Sequence, residues 1–194
     1  MGTTNFQIDE LVNNLEINHF KGCFYKDQLD SLEQNSSYIL NLENEFDVYE
    51  NRNQGTHWVA VVTDFNKQVV YFDSFGQPIP KYVLNIFKRS GYKHGHTNKI
   101  IQNIKSDLCG YFSVAFIYFL TKHKHRTRDI YIDANIFVNL FEDLGKVNST
   151  KNEHILSLFF KNKNNEILLK YNNWVKKKNQ LAKDYQIEKV KLKS

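Results

Sequence analysis

The chain has 194 residues, 41% of them hydrophobic, with 15 Phe, 11 Tyr, 2 Pro and 2 Cys. This composition suits a globular domain with a real core and excludes a disordered chain, a disulfide scaffold and, because no apolar run approaches ~20 residues, a membrane-spanning helix. The net charge of +5 is uneven: residues 161–194 hold ten Lys against three acids, so that tail carries +7 and the rest −2.

Met1 to Glu16 lacks both a basic n-region and an apolar h-region, so no secretory signal is expected and a reducing compartment fits the two cysteines. Thr4 and Gln7 have capping-box spacing ahead of Ile8, Leu11, Val12 and Leu15, which predicts a short amphipathic helix. Phe20 to Phe24 reads as a loop, Lys26 to Leu32 as a second short helix and Ser37 to Leu42 as a strand with weak alternation. His57–Thr63 and Gln68–Phe72 are β-branched and aromatic runs separated by four turn residues, the clearest hairpin in the chain. Pro80 opens a predicted helix to Arg89 that Gly91 ends, and Lys99 to Ile104 reads as another strand. Leu108 to Lys122 is apolar almost all round, as a buried helix is. The chain beyond Asp129 looks helical, with a second capping-box pair at Thr150 and Glu153. The expected fold is α+β: a small mixed sheet packed against a central helix that carries Cys109, with further helices flanking it. The expected division is a domain over 1–150 and a helical, lysine-rich extension over 151–194.

Four residues carry the chemistry. Cys109 starts the buried helix, where free N–H groups and the helix dipole favour a thiolate; the bland alternative is a structural cysteine. Gly110 beside it permits close backbone approach. A nucleophilic Cys needs a base, and His57 begins a strand. Among the other histidines, His94, His96, His123 and His125 lie in exposed-looking segments, and His19 and His154 have no acidic strand partner near in sequence. Asp73 falls at the same open end of the hairpin as His57 and can fix its tautomer, although Asp-Ser-Phe-Gly is also plain turn sequence. Gln102 can complete an oxyanion hole with the Cys109 N–H, with Asn98 and Asn103 as rivals. Trp58 is either a half-buried strand aromatic or a wall of the substrate groove.

The segments GTHW, YFDSFG and QNIKSDLCGYF, with FKGCF upstream, resemble the adenovirus-type maturation proteases, which share a clan with the SUMO-cleaving proteases. The chain order His57, Asp73, Gln102, Cys109 matches that clan, and the likeness covers roughly residues 5–125. It implies a viral cysteine endopeptidase of the virophage or transposon-like branch, cleaving capsid or core precursors at Gly-containing sites in the virion and the host cytoplasm or nucleus. It further implies that the Trp58 wall leaves a slot narrow enough for glycine. The acidic member is Asp, as in the SUMO proteases, rather than Glu. No cofactor is required for the chemistry, and DNA or a peptide is the activator that the resemblance implies. Cys23 is no clear counterpart to the cysteine that tethers the adenovirus enzyme's peptide. Two basic stretches are candidate DNA contacts: Lys122, Lys124, Arg126 and Arg128, and Lys176, Lys177 and Lys178 beside Trp174. A solvated helix face would account for the charge equally well. The competing functions are removal of ubiquitin-like modifiers and a non-catalytic nucleic-acid-binding role. Two distant cysteines make no metal site at a recognised spacing, and no membrane partner is expected.

Overall fold

In the computed structural model, residues 3–43, 57–122, 127 and 129–161 are described. Helix α1 (Asn5–Asn14) starts at Thr4 with both capping-box bonds made: Gln7 N donates to Thr4 Oγ1 and Thr4 N to Gln7 Oε1. Its Ile8 and Leu11 are fully buried. Strand β1 (Phe20–Tyr25) replaces the expected loop and runs parallel to β2 (Ser37–Asn41). The sequence hid β1 because it is a half-exposed edge with an irregular register between Phe20 and Cys23, where Gly22 takes φ +129°. The helix expected over 26–32 is absent, and a turn followed by irregular chain stands there.

The hairpin is formed by β3 (Trp58–Thr63) and β4 (Gln68–Phe72), paired antiparallel from Ala60↔Phe72 to Thr63↔Val69. Asp64 closes its turn by accepting from the backbone of Asn66 and Gln68. Helix α2 (Lys81–Arg89) follows Pro80, and beyond it Gly91 takes φ +73°. Strand β5 (Lys93–His96) pairs parallel with β4. Its Lys-His-Gly-His sequence carries no strand signal. The strand expected over 99–104 does not form, because backbone groups there bond to loops: Ile101 N and Gln102 N both donate to Ser74 O, and Ile100 O accepts from Leu144 N.

The five strands lie in chain order, β1 to β5. Helix α3 (Cys109–Lys122) packs on one face, and α2 with Leu40, Val59, Val61, Val69 and Tyr71 fills the other. Burial on both faces explains why β2 lacks alternation. On the α3 side Phe72 stacks on Phe116 at 4.4 Å and meets Phe137 of α4 (Ile130–Asn139) edge-on at 5.6 Å. Asp129 caps α4 through bonds from Tyr131 N and Ile132 N. Helix α5 (Lys151–Leu158) is the last described element. The chain divides into two compact units, Met1–Leu156 and Ser157–Ser194, and only residues 157–161 of the second are described. None of the described helices is long and apolar enough to cross a membrane.

Candidate active site

The register of β3 and β4, continued past Ala60↔Phe72, sets His57 opposite Phe75 and diagonal to Asp73 at the open end of the hairpin. His57 Nε2 and Asp73 Oδ1 accordingly lie 2.8 Å apart. Asp73 is fully buried. Its Oδ1 also accepts from Phe75 N at 2.7 Å, and its carbonyl accepts from Gly76 N at 2.9 Å, so the turn itself aims the carboxylate. Gly76 is obligatory there. Its φ is +65°, and a Cβ would come within 2.8 Å of the Asn98 carbonyl oxygen. Phe75 stacks on the His57 ring at 4.8 Å and 30°, covering one face of the imidazole.

His57 is a base with a raised affinity for its proton. Burial alone pulls its pKa down, but hydrogen bonding to Asp73 and to Cys109, together with their charges, outweighs this and pushes it up to about 9. With Nε2 taken by Asp73, Nδ1 is the nitrogen left for the thiol. It is buried and without a well-formed hydrogen bond in the resting geometry, as unliganded catalytic contacts often are before substrate tightens them. Cys109 itself is the first residue of α3 and 8% exposed.

Gln102 is 1% exposed, and its carboxamide is fixed at both atoms. Ser74 Oγ donates to Oε1 at 2.6 Å, and Nε2 donates to Ser106 O at 2.6 Å. The Ser106 carbonyl can only accept, so the amide cannot flip. Nε2 keeps a second hydrogen for another acceptor. The rival Asn103 is spent on its own loop, its Oδ1 accepting from Lys105 N, and Asn98 is exposed. Sequence reasoning passed over Ser74 and Phe75. Their only signal is position, in the two residues after Asp73.

Trp58 is buried, and its indole N–H donates to the carbonyl of Thr3 at 2.7 Å. The close approach that Gly110 allows is taken up within this chain, not left open: a Cβ at Gly110 would come within 2.8 Å of the Thr3 side chain. Thr3 was also invisible to sequence reasoning, since it joins the site only in the fold.

Cys23, the other cysteine, is held in its thiol form. It donates to Asp9 at 3.8 Å, and burial first, then the charge and hydrogen bond of Asp9, push its thiol pKa up, which suppresses the thiolate. Lys122 closes α3 and is half-buried beside a polar pocket of about 430 Å³ at the turn end of the hairpin, away from His57. Lys124, Arg126, Arg128, Lys176, Lys177 and Lys178 lie outside the described residues. Among the described residues no group of three or more His, Cys, Asp or Glu is placed to hold a metal ion.

Neither a protein-family model nor a curated protein matches the chain. Several solved structures resemble it, two forms of one protease among them. The ASFV pS273R protease aligns at 22% identity and a TM-score of 0.46, over 70% of this chain and 65% of that one. Its Se-Met form aligns at 20% and 0.44, over 70% of this chain and 66% of that one. The aligned part thus spans just under two thirds of that protease's length.

Proposed function

We propose that this chain is a cysteine endopeptidase, and the observation that carries the reading is His57 bonded to a buried Asp73 and lying close to Cys109, which starts a buried helix. In the proposed cycle the Cys109 thiolate attacks a peptide carbonyl. The Cys109 N–H and the second Nε2 hydrogen of Gln102 hold the oxyanion. Imidazolium His57 then gives its Nδ1 proton to the leaving amine, the C–N bond breaks, and an acyl-enzyme remains. Water deprotonated by His57 attacks that thioester and regenerates the thiol.

For substrates, the proposal is a Gly-containing site. Trp58 and Gly110, with Thr3 between them, leave little room for a side chain just before the cut. The proposed targets are capsid or core precursors of a virus or related element, with DNA acting through the basic stretches as an activator. Removal of ubiquitin-like modifiers uses the same catalytic parts. It is separated by asking whether a Gly-Gly modifier is cut faster than a virion precursor.

The test is digestion of a diverse peptide library by the full chain and by Cys109→Ala, with cut sites read by mass spectrometry, with and without DNA. Cuts after Gly that disappear in the variant are expected. Cuts that persist in Cys109→Ala refute the mechanism, free cleavage after bulky residues refutes the specificity, and rates indifferent to DNA and salt refute the activator. Tight, salt-sensitive DNA binding without any cleavage would favour a non-catalytic role.

A further inference from the structure

Trp58 and Gly110, the chain neighbours of His57 and Cys109, are both packed against Thr3. A cleft of about 720 Å³ begins at Phe75 and Gln102 and continues along Ile100, Ile104, Leu144 and Val147. Ile104 is 86% exposed and Val147 47%. Apolar side chains left this open beside a reactive centre mark a surface that something else covers.

The walls of the cleft are built rather than loose. Ile100 O accepts from Leu144 N at 2.8 Å. The buried Asn152 ties the same two segments together: its Nδ2 donates to Ile101 O at 2.9 Å and to Glu142 O at 2.7 Å, and its Oδ1 accepts from Glu142 N. Lys99 Nζ donates to Phe141 O at 2.6 Å. Five bonds, three of them through Asn152, therefore hold the 141–149 loop against the chain that leads into Gln102.

The chemistry decides which part of a substrate lies here. The leaving amine must come within reach of His57, whose ring rests on Phe75. Phe75, packed on that ring, and Gln102, the candidate oxyanion donor, both line the start of the cleft, which makes it the groove next to the leaving amine. We propose that this cleft binds the segment after the scissile bond and selects apolar side chains there. The assignment rests on the protease reading above and extends it from the residue before the cut to those after it. The volume suits on the order of two or three residues.

The test uses two peptides with the same Gly-Gly before the cut. One continues with aliphatic and aromatic residues, the other with Ser and Gly. The full chain is expected to favour the first by about tenfold in kcat/KM, the discrimination an apolar pocket gives for a filled against an unfilled site. Ile104→Asp, at an exposed position that folding does not depend on, should bring that ratio close to one, and Val147→Asp should do the same from the opposite wall. A ratio near one in the unaltered protein, or one that neither substitution moves, overturns the assignment while leaving the protease intact. Cleavage of neither peptide, together with no covalent capture of Cys109 by a Gly-Gly aldehyde, refutes the protease reading and this one with it. A dimer that Ile104→Asp dissociates would give the cleft to a second copy and also overturn the proposal.

Discussion

Asp64 and Asp73 stand at opposite ends of one hairpin, each in a sequence of turn formers, and each accepts from backbone N–H groups of the residues that follow it. Asp64 is half-exposed and spends itself on Asn66 and Gln68. Asp73 is fully buried, shares Oδ1 between Phe75 and His57, and leaves Oδ2 without a partner. A buried carboxylate oxygen with no donor costs stability, and nothing in the turn requires it. One carboxylate serves the local chain. The other gives up part of its bonding to hold an imidazole.

The largest test of that contrast is at Cys109, the proposed nucleophile beside the costly end. Cys109→Ala should lower turnover by about 10⁶-fold, whereas Cys23→Ala should leave it as it was, and only Cys109 should be alkylated at neutral pH.

Next comes Asp73→Asn, which keeps the turn but removes the charge. A loss of about 10⁴ in kcat is expected. Its pH profile sharpens the point. His57 must be protonated to release the amine, so kcat/KM of the unaltered protein should fall as pH rises through about 9. Asp73→Asn should move that limb to lower pH. The same pair bears on stability. A His raised above its usual ~6.5 contributes stability fully present below that value and lost as pH climbs through about 9. Thermal melts should follow that slope, and Asp73→Asn should flatten it.

Ser74→Ala removes the donor that orients Gln102. About a tenfold drop in kcat is expected, with the alkylation rate of Cys109 unchanged, because alkylation needs no oxyanion hole. An equal drop in both would mean that Ser74 merely supports the fold. The smallest effect belongs to the other end of the hairpin. Asp64→Ala should cost about 1 kcal/mol in unfolding experiments and leave turnover alone. If it impairs turnover as Asp73→Asn does, the contrast between the two ends fails.

The candidate triad and Gln102 could be proposed from the sequence because each reaction role admits few residue types, and the chain offers them in one order. The residues that complete the site were not. Thr3, Ser74 and Phe75 are ordinary in sequence and acquire their roles from loops that meet across the sheet. The fold shows the same division. The 57–72 hairpin and the helix from Cys109 announce themselves through continuous apolar runs. Strands β1 and β5 are edges with little burial, so no hydrophobic period marks them. Ile100 and Ile101 imitate a strand although their backbone bonds go to Ser74, Leu144 and Asn152.

The bond from the Trp58 indole to the Thr3 carbonyl, and the seat that Gly110 gives the Thr3 side chain, join the start of the chain to its middle. Closing so long a loop is slow relative to forming a local hairpin. During synthesis the base and its carboxylate emerge from the ribosome well before the nucleophile. Until α3 arrives and receives Thr3, a growing chain holds His57 and Asp73 without the residue they face, so the site is completed only by a contact between distant parts of the chain.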